Sequence, residues 1–204
     1  MTETSPSVLI LGQEDARRKA GSTGLPVLHN QVRIVDENGE DAKPGTIGEL
    51  WVKGPNVTPG YWNRPDATKA SITDGWLHTG DAARQDADGF YYIVDRWKDM
   101  YISGGENVYP AEVENVIYQI EAVAEAAVFG MPDEKWGEIG YVAIVVKPGH
   151  ALSDADVLAH CRERLARFKL PRSVVFISAL PRNATGKVLK RELRERLSTA
   201  QAAQ

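Results

Sequence analysis

The chain has 204 residues, with 24 lysines and arginines against 28 aspartates and glutamates, and a formal net charge of −4. This balance argues against a nucleic-acid-binding protein, which presents a basic face. The longest apolar runs, such as residues 142–146, are far too short for a transmembrane segment. A single cysteine, Cys161, excludes an internal disulfide, and with no recognisable signal peptide it predicts a cytoplasmic protein.

The first part of the chain reads as short strands separated by turns. Residues 1–26 are polar and show no clear element, whereas residues 31–35 alternate with the period of a half-buried strand. Asn38-Gly39 is a hairpin signal, and a second strand follows at residues 48–54. Proline and glycine punctuate residues 55–76, which indicates a loop. Strands this close together favour a small antiparallel sheet or barrel over βαβ units.

A charged segment then follows an aromatic strand. Residues 90–94 are aromatic or β-branched, and residues 95–99 are mostly charged. The glycine pair in residues 103–107 allows close approach of backbone to a ligand, and Pro110 suits the first position of a helix. Such a segment can be a hinge or a site, but its composition alone favours an exposed hairpin and loop.

Helices and strands alternate after residue 98. Helices are predicted at residues 110–120, after a Ser153 cap, and at 188–197, with strands at 123–130, 141–147 and 174–177. This change predicts a boundary near Lys98, between residues 1–97 and residues 98–204. The predicted fold class is α+β, with a small antiparallel β subdomain followed by a mixed α/β domain.

Two polar groups in the first part could carry chemistry. In Thr79-Gly80-Asp81, a carboxylate after a glycine turn can accept hydrogen bonds from a ribose diol, or it can simply stabilise the turn. In residues 95–99, the Arg96 guanidinium can clamp a diol or a phosphate, and a solvated charge run is an equal alternative.

A third polar group lies near the end of the chain. Residues 181–187 place Lys187 after a glycine and before a helix, where its charge suits phosphate or carboxylate oxygens. The segment is not a Walker loop, because the first glycine is missing and Val188 follows the lysine instead of serine or threonine.

Taken in this order, the motifs resemble the C-terminal part of the acyl-adenylate-forming enzymes, the acyl- and aryl-CoA synthetases and their relatives. The resemblance covers essentially the whole chain, and chance does not explain several motifs in the family's order. They are Met1-Thr2-Glu3-Thr4, Gly48-Glu49-Leu50, Gly60-Tyr61-Trp62, Trp76 to Asp81, Asp95-Arg96, Ser103 to Asn107, and Pro181 to Lys187.

The resemblance implies a two-step reaction with ATP, Mg²⁺ and coenzyme A. A carboxylate attacks the α-phosphate of ATP to give an acyl-adenylate and pyrophosphate, and the thiol of CoA then displaces AMP. The Gly-Gly-Glu-Asn-Val-Tyr-Pro run at residues 104–110 looks most like the fatty-acyl ligases. A fatty acid is therefore the expected substrate, with aromatic acids left open.

The resemblance also assigns roles for the first step. Thr2 would lie near the phosphates, and Glu3 would be a ligand of Mg²⁺. Asp81 would hold the ribose hydroxyls with support from Arg96. Lys187 would bridge the carboxylate and phosphate oxygens, stabilising charge that develops in the transition state.

For the second step, Lys98 matches the hinge about which the small domain rotates between the half-reactions. Gly105 would line the pantetheine tunnel, and Glu106 would act near the thioester-forming site. Lys169 and Arg172 are candidates for binding the CoA phosphates, although both could be ordinary surface charges. Trp136 is a candidate stacking surface or simply a buried aromatic residue.

The family's proteins are much longer than this chain, and their Gly/Ser/Thr-rich phosphate loop and large doubly wound N-terminal subdomains are absent from it. The isolated chain is therefore expected not to form acyl-adenylate, and residues 1–26 are expected to be weakly anchored. Two alternatives remain: an adenylation unit that loads a carrier protein, and a non-catalytic docking module.

Overall fold

The computed structural model of the protein describes residues 1–5 and 7–202, with the side chains of residues 1–5 and 7–198. The chain forms two compact units that divide between Lys98 and Asp99. No helix in the described part is long and apolar enough to cross a membrane.

The first unit is built on a five-stranded antiparallel sheet. In chain order its elements are β1 Leu9–Ile10, β2 Leu25–Pro26, β3 Gln31–Val35, β4 Gly48–Lys53, α1 Pro65–Ser71, β5 Ile72–Thr73, β6 Trp76–Gln85 and β7 Tyr91–Arg96. The strand order is β3-β4-β6-β5, and β7 also pairs with β6. Strands β1 and β2 form a separate two-stranded sheet. The antiparallel prediction is confirmed, and β3 has the predicted bounds.

Alternation along the strands builds the core of this unit. Ile34, Leu50 and Val52 are buried on one face and pack with Ala83 and Tyr91. The residues between them point to the other face, as successive strand residues must. This face carries the charged and aromatic side chains discussed below.

Residues 1–5 and 7–26 are well anchored, so the expectation of weak anchoring for residues 1–26 is wrong. The Asn56 amide donates to the Thr4 carbonyl at 2.7 Å, and the Thr4 side chain is fully buried. The Lys19 ammonium forms an ion pair with Asp86 at 2.6 Å. These contacts join the segment to loops of the sheet far along the sequence.

Residues 55–76 are more ordered than their turn signals predicted. They contain α1 and the short strand β5, which pairs with β6. Pro65 occupies the first turn of α1, where its missing N–H costs no hydrogen bond. Because the helix is short and flanked by proline and glycine residues, the sequence pattern did not predict it.

The second unit pairs a mixed sheet with three helices. Its elements are β8 Tyr101–Ser103, β9 Glu106–Val108, α2 Pro110–Ile117, β10 Val123–Asp133, β11 Gly137–Val146, α3 Asp154–Arg162, β12 Ser173–Phe176 and α4 Lys190–Ala202. The order is β10-β11-β8-β9, and β12 runs parallel to β11. The α+β fold class is therefore confirmed.

Both faces of this sheet are covered. Val128 of β10 packs on one face in a core that includes residues of α2 and α3, and its neighbour Phe129 packs on the other with Leu193 of α4. Because both faces are buried, β10 reads as a nearly continuous apolar run. The predicted Ser153 cap is present as a capping box with Asp156.

Candidate functional site

A bulge in β6 presents Asp81. Glu49 of β4 is paired with Ala82 and Trp51 with His78, so the three residues 79–81 lie opposite Leu50 alone. Bulges bend a strand and redirect a side chain, and they are frequent beside active sites. The Thr-Gly-Asp motif thus corresponds to a local distortion of the sheet.

Hydrogen bonds fix the shape of this bulge. The buried Thr79 hydroxyl donates to the Leu50 carbonyl at 2.7 Å and accepts the Asp81 N–H at 3.1 Å. The Gly80 N–H donates to Glu49 Oε1 at 2.9 Å, and Glu49 Oε2 accepts the Trp51 indole N–H at 2.8 Å. Gly80 has φ of +70°, which a residue with a side chain rarely adopts.

Asp81 and Arg96 meet at this bulge. They are register partners on β6 and β7, and Arg96 Nη1 donates to Asp81 Oδ1 at 2.6 Å. The Asp81 side chain is 22% exposed and that of Arg96 is 48% exposed, so both remain accessible. The pair combines acceptor oxygens with spare guanidinium donors, which can bind a diol and a nearby phosphate.

Thr2 and Glu3 lie in a short 3-10 helix, Thr2–Thr4. The Tyr61 hydroxyl donates to Glu3 Oε1 at 3.1 Å, and the Thr58 N–H donates to the Glu3 carbonyl at 2.8 Å. Burial, together with the Glu3 carboxylate, raises the pKa of the Tyr61 hydroxyl. Within the described chain, no group of three or more His, Cys, Asp or Glu side chains is arranged to hold a metal ion.

The glycine pair forms the tip of the β8–β9 hairpin, and Lys98 lies just before this hairpin in the 3-10 turn Trp97–Asp99. Gly104 and Gly105 have φ of +62° and +87°, as a two-residue turn with two positive φ angles requires. A Cβ on Gly104 would lie 2.8 Å from the Trp136 ring, whereas one on Gly105 meets no atom within 4 Å. Of the two glycines in this turn, it is therefore Gly104 that another side chain approaches closely.

The hairpin tip borders a cleft of about 650 Å³ in the second unit. Glu106, Trp136 and Arg172, all chosen from the sequence, line it together with Gly104. It also contains Arg167 and Phe168, which sequence reasoning missed although they directly precede the Lys169-Leu170-Pro171 segment.

Lys169, a sequence candidate for CoA binding, is not among the residues that line the cleft. Its ammonium contacts Glu112 Oε1 at 2.6 Å and Oε2 at 2.8 Å. The cationic groups of the cleft are instead Lys135, Arg167 and Arg172. Beside the Trp136 and Phe168 rings, these charges form a surface suited to a nucleotide with several phosphates.

Lys187 ends a tight turn between residues 183 and 187 and is exposed. Gly186 has φ of +84°, and the Lys187 N–H donates to Asn183 Oδ1 at 2.9 Å. The turn presents an ammonium group to solvent from an ordered backbone.

Two family models match the sequence. The model for the AMP-binding enzyme covers residues 1–62, and the model for the AMP-binding enzyme C-terminal domain covers residues 112–187. The chain belongs to the AMP-binding enzyme family. The resemblance inferred from the motifs is thereby confirmed.

Two similar proteins are CoA ligases by name. A feruloyl-CoA synthase from Amycolatopsis is 48% identical over 196 residues, which are 96% of this chain and 40% of the relative. A 2-succinylbenzoate–CoA ligase from Bacillus cereus is 49% identical over 195 residues, again 96% of this chain and 40% of the relative. The chain thus spans about 40% of the length of these relatives.

A solved structure shares the fold. The o-succinylbenzoate CoA synthetase from Bacillus subtilis, in complex with its acyl-adenylate intermediate, is 42% identical with a TM-score of 0.89. The match covers 95% of this chain and 40% of that one. Other structures of that enzyme hold AMP, or ATP with a magnesium ion. The acids that these three enzymes are named for are aromatic, so the fatty-acid expectation receives no support.

Proposed function

We propose that this sequence belongs to an AMP-forming acid–thiol ligase that joins a carboxylic acid to CoA through an acyl-adenylate. The observation that carries the proposal is the Asp81–Arg96 pair, accessible on a bulge that Thr79 and Glu49 hold in shape. A carboxylate and a guanidinium fixed in this way can bind the ribose of a nucleotide. The CoA ligases named above support the overall reaction.

In the first step, a carboxylate oxygen of the acid forms a bond to the α-phosphorus of ATP, and pyrophosphate leaves with the electrons of the broken P–O bond. Asp81 and Arg96 bind the ribose, and Thr2 lies near the phosphates. Lys187 stabilises the negative charge on the reacting oxygens, because a fixed cation lowers the energy of a charged transition state.

Glu3 would hold Mg²⁺ together with the nucleotide phosphates. A single carboxylate fits this ion, which usually binds one or two protein carboxylates, waters and substrate phosphates. The Tyr61 hydroxyl, bonded to Glu3 Oε1, orients that carboxylate. When bound, the ion neutralises phosphate charge.

In the second step, the CoA thiol loses its proton to water, its sulfur forms a bond to the acyl carbon, and the acyl carbon–oxygen bond breaks so that AMP leaves. Arg167, Arg172 and Trp136 bind the nucleotide end of CoA in the cleft. Gly105 lines the path of the pantetheine arm, and Glu106 acts near the thiol. Lys98 is the hinge about which the small domain rotates between the two steps. Lys169 is set aside as a phosphate ligand, because Glu112 already neutralises its charge.

The acid is proposed to be aromatic. Feruloyl and succinylbenzoyl groups both contain a benzene ring, and the two curated relatives that carry them in their names are 48% and 49% identical to this chain.

The isolated chain is expected to release no pyrophosphate from ATP and an acid. The proposal is tested with a chimera in which the full chain replaces the matching part of the Bacillus subtilis synthetase. We expect this chimera to form o-succinylbenzoyl-CoA from the acid, ATP and CoA. A chimera that folds but catalyses neither half-reaction would contradict the proposal. Robust turnover by the isolated chain would contradict its expected inactivity.

The acyl acceptor distinguishes the main alternative. An adenylation unit that loads a carrier protein would transfer the acyl group to a phosphopantetheine arm and would not need the cationic cleft. A docking module would need neither the cleft nor Lys187. Comparing transfer to free CoA with transfer to a carrier protein separates the first alternative, and the Lys187→Ala variant separates the second.

A further inference from the structure

We propose that Arg182 is a positioning residue for Lys187, acting through an ion pair with Glu125 of β10. The inference rests on the proposed function, because Lys187 acquires its role in adenylation there. It concerns how the lysine is held relative to the sheet of its own unit.

Lys187 sits at the end of a small hairpin. The Leu189 N–H donates to the Pro181 carbonyl at 2.8 Å, and the Asn183 N–H donates to the Lys187 carbonyl at 3.0 Å. Residues 184–186 form the loop between Asn183 and Lys187, and Gly186 has the left-handed conformation that three-residue loops require. The lysine therefore lies at a defined place on the hairpin.

The Asn183 side chain stabilises the turn from within. Its Oδ1 accepts the Thr185 N–H at 3.0 Å, the Thr185 hydroxyl at 2.8 Å and the Lys187 N–H at 2.9 Å. These bonds are local, as asparagine side chains commonly form in turns. They fix the shape of the turn but not its position against the sheet.

Arg182 connects the turn to the sheet. Its Nη1 donates to the Gly186 carbonyl at 2.6 Å, and its Nη2 donates to Glu125 Oε1 at 2.6 Å. Glu125 belongs to β10, which is 57 residues away in sequence. The planar guanidinium makes both bonds at once from a rigid fork, which a lysine at this position could not reproduce.

The base of the hairpin is held separately. Leu180 and Val188 pack in the same core as Leu193 of α4, and Lys190 forms an ion pair with Glu114 at 2.8 Å. Among the described side chains, Arg182 links the tip of the hairpin to the sheet through its two hydrogen bonds. Its loss should therefore displace Lys187 while leaving the base of the hairpin in place.

A small displacement of this lysine matters for the first step alone. Misplacing a catalytic group by about 1 Å can cost up to about 100-fold in rate. Thioester formation from a supplied acyl-adenylate does not use Lys187 in the proposed reaction. Loss of positioning is therefore distinguishable from loss of folding, which would reduce both steps.

The test measures both half-reactions in the chimera defined above for Arg182→Ala, Arg182→Lys, Glu125→Ala and Glu125→Gln. We expect about a tenfold or greater fall in kcat for adenylation with Arg182→Ala, Arg182→Lys and Glu125→Ala. Thioester formation from acyl-adenylate should stay unchanged. Glu125→Gln should be milder, because an amide oxygen still accepts the Arg182 bond. Arg191→Ala, in an exposed ion pair with Glu195, is the matched control.

A second measurement uses the 204-residue chain itself. NMR distance restraints should show the Lys187 backbone displaced by about 1 Å or more relative to β10 and β11 in Arg182→Ala. An unchanged position of Lys187 in the two proteins would overturn the inference, as would an equal fall of both half-reactions. If Lys187→Ala abolishes adenylation but Arg182→Ala does not, only the positioning role fails. If Lys187→Ala leaves adenylation intact, the proposed function fails.

Discussion

Arg96 Nη1 donates to Asp81 Oδ1 at 2.6 Å, between two residues that share a register position on neighbouring strands. The pair is 15 residues apart in sequence and stays accessible on the sheet. Exposed ion pairs contribute only about 0–1 kcal/mol to stability. The pair therefore matters for the position of its binding groups more than for the stability of the fold.

Replacing Arg96 should therefore affect nucleotide chemistry much more than folding. For Arg96→Ala we expect at least about a tenfold fall in the rate of adenylation, because the guanidinium group that donates hydrogen bonds at the ribose is lost. The change in the free energy of unfolding should stay below about 1 kcal/mol. Pyrophosphate release by the chimera and urea unfolding of the chain measure the two effects.

Arg84→Ala is the control for this substitution. Arg84 lies on the same strand as Asp81 and stacks on Tyr92 at 4.2 Å, away from the bulge. It should leave adenylation unchanged. An Arg96→Ala protein as active as the Arg84→Ala protein would contradict the assigned role.

The contrast between Arg172 and Lys169 tests the CoA cleft. Arg172→Ala should weaken CoA binding by about 1.5–3 kcal/mol, the range for a hydrogen bond to a charged group. Lys169→Ala should have little effect, since the ammonium is bonded to Glu112 and does not line the cleft. Calorimetric titration of each variant with CoA gives the affinities, and equal losses would show that the cleft does not bind the phosphates.

The Glu114–Lys190 pair should be important for the stability of the second unit. Glu114 Oε1 accepts both the Lys190 ammonium and the Val128 N–H at 2.8 Å, and both side chains are largely buried. Glu114→Ala leaves two donors without their acceptor, so we expect a loss of about 2–5 kcal/mol in the free energy of unfolding.

Urea unfolding of the chain measures this loss. The control is Glu192→Ala, which removes an exposed pair with Arg196 one helical turn away. That pair should contribute less than about 0.5 kcal/mol. Similar midpoints for the two variants would show that the buried pair does not stabilise the start of α4.

Acid should loosen the contact that holds residues 1–26. The Lys19 ammonium, hydrogen-bonded to Asp86, lowers the pKa of that carboxyl from 3.8 to about 2, with help from the Phe90 N–H. Because the pKa is lower in the folded protein, the stabilisation is full above about pH 4 and is lost as the pH falls through about 2.

NMR titration of the Asp86 carboxyl carbon measures this pKa directly. The titration runs from about pH 1.5 to about pH 6, which covers the range in which aspartates titrate. Lys19→Ala should move the midpoint upward, towards the ordinary value. A midpoint near 4 in the unsubstituted protein would show that the ion pair is not formed in solution.

Local signals predicted much of the fold. Alternation located β3, the Ser153 capping box located α3, and Pro110 located the start of α2. Each of these features depends on neighbours in sequence, which a local pattern can report.

Features that depend on tertiary register could not be read in this way. The bulge at residues 79–81 exists because β4 offers Leu50 alone opposite three residues, and that pairing is set by the whole sheet. Arg167, and not Lys169, is a cation of the cleft because the Lys169 ammonium is bonded to Glu112, which is 57 residues from it in sequence. The motifs located the candidate site, but its working side chains depended on these long-range partners.

The most direct test of the account separates the two half-reactions with Lys187→Ala in the chimera. Pyrophosphate release from ATP and acid reports adenylation, and thioester formation from supplied acyl-adenylate and CoA reports transfer. The account predicts that Lys187→Ala loses adenylation by about 100-fold or more and keeps transfer. A variant in which adenylation is unchanged would contradict it.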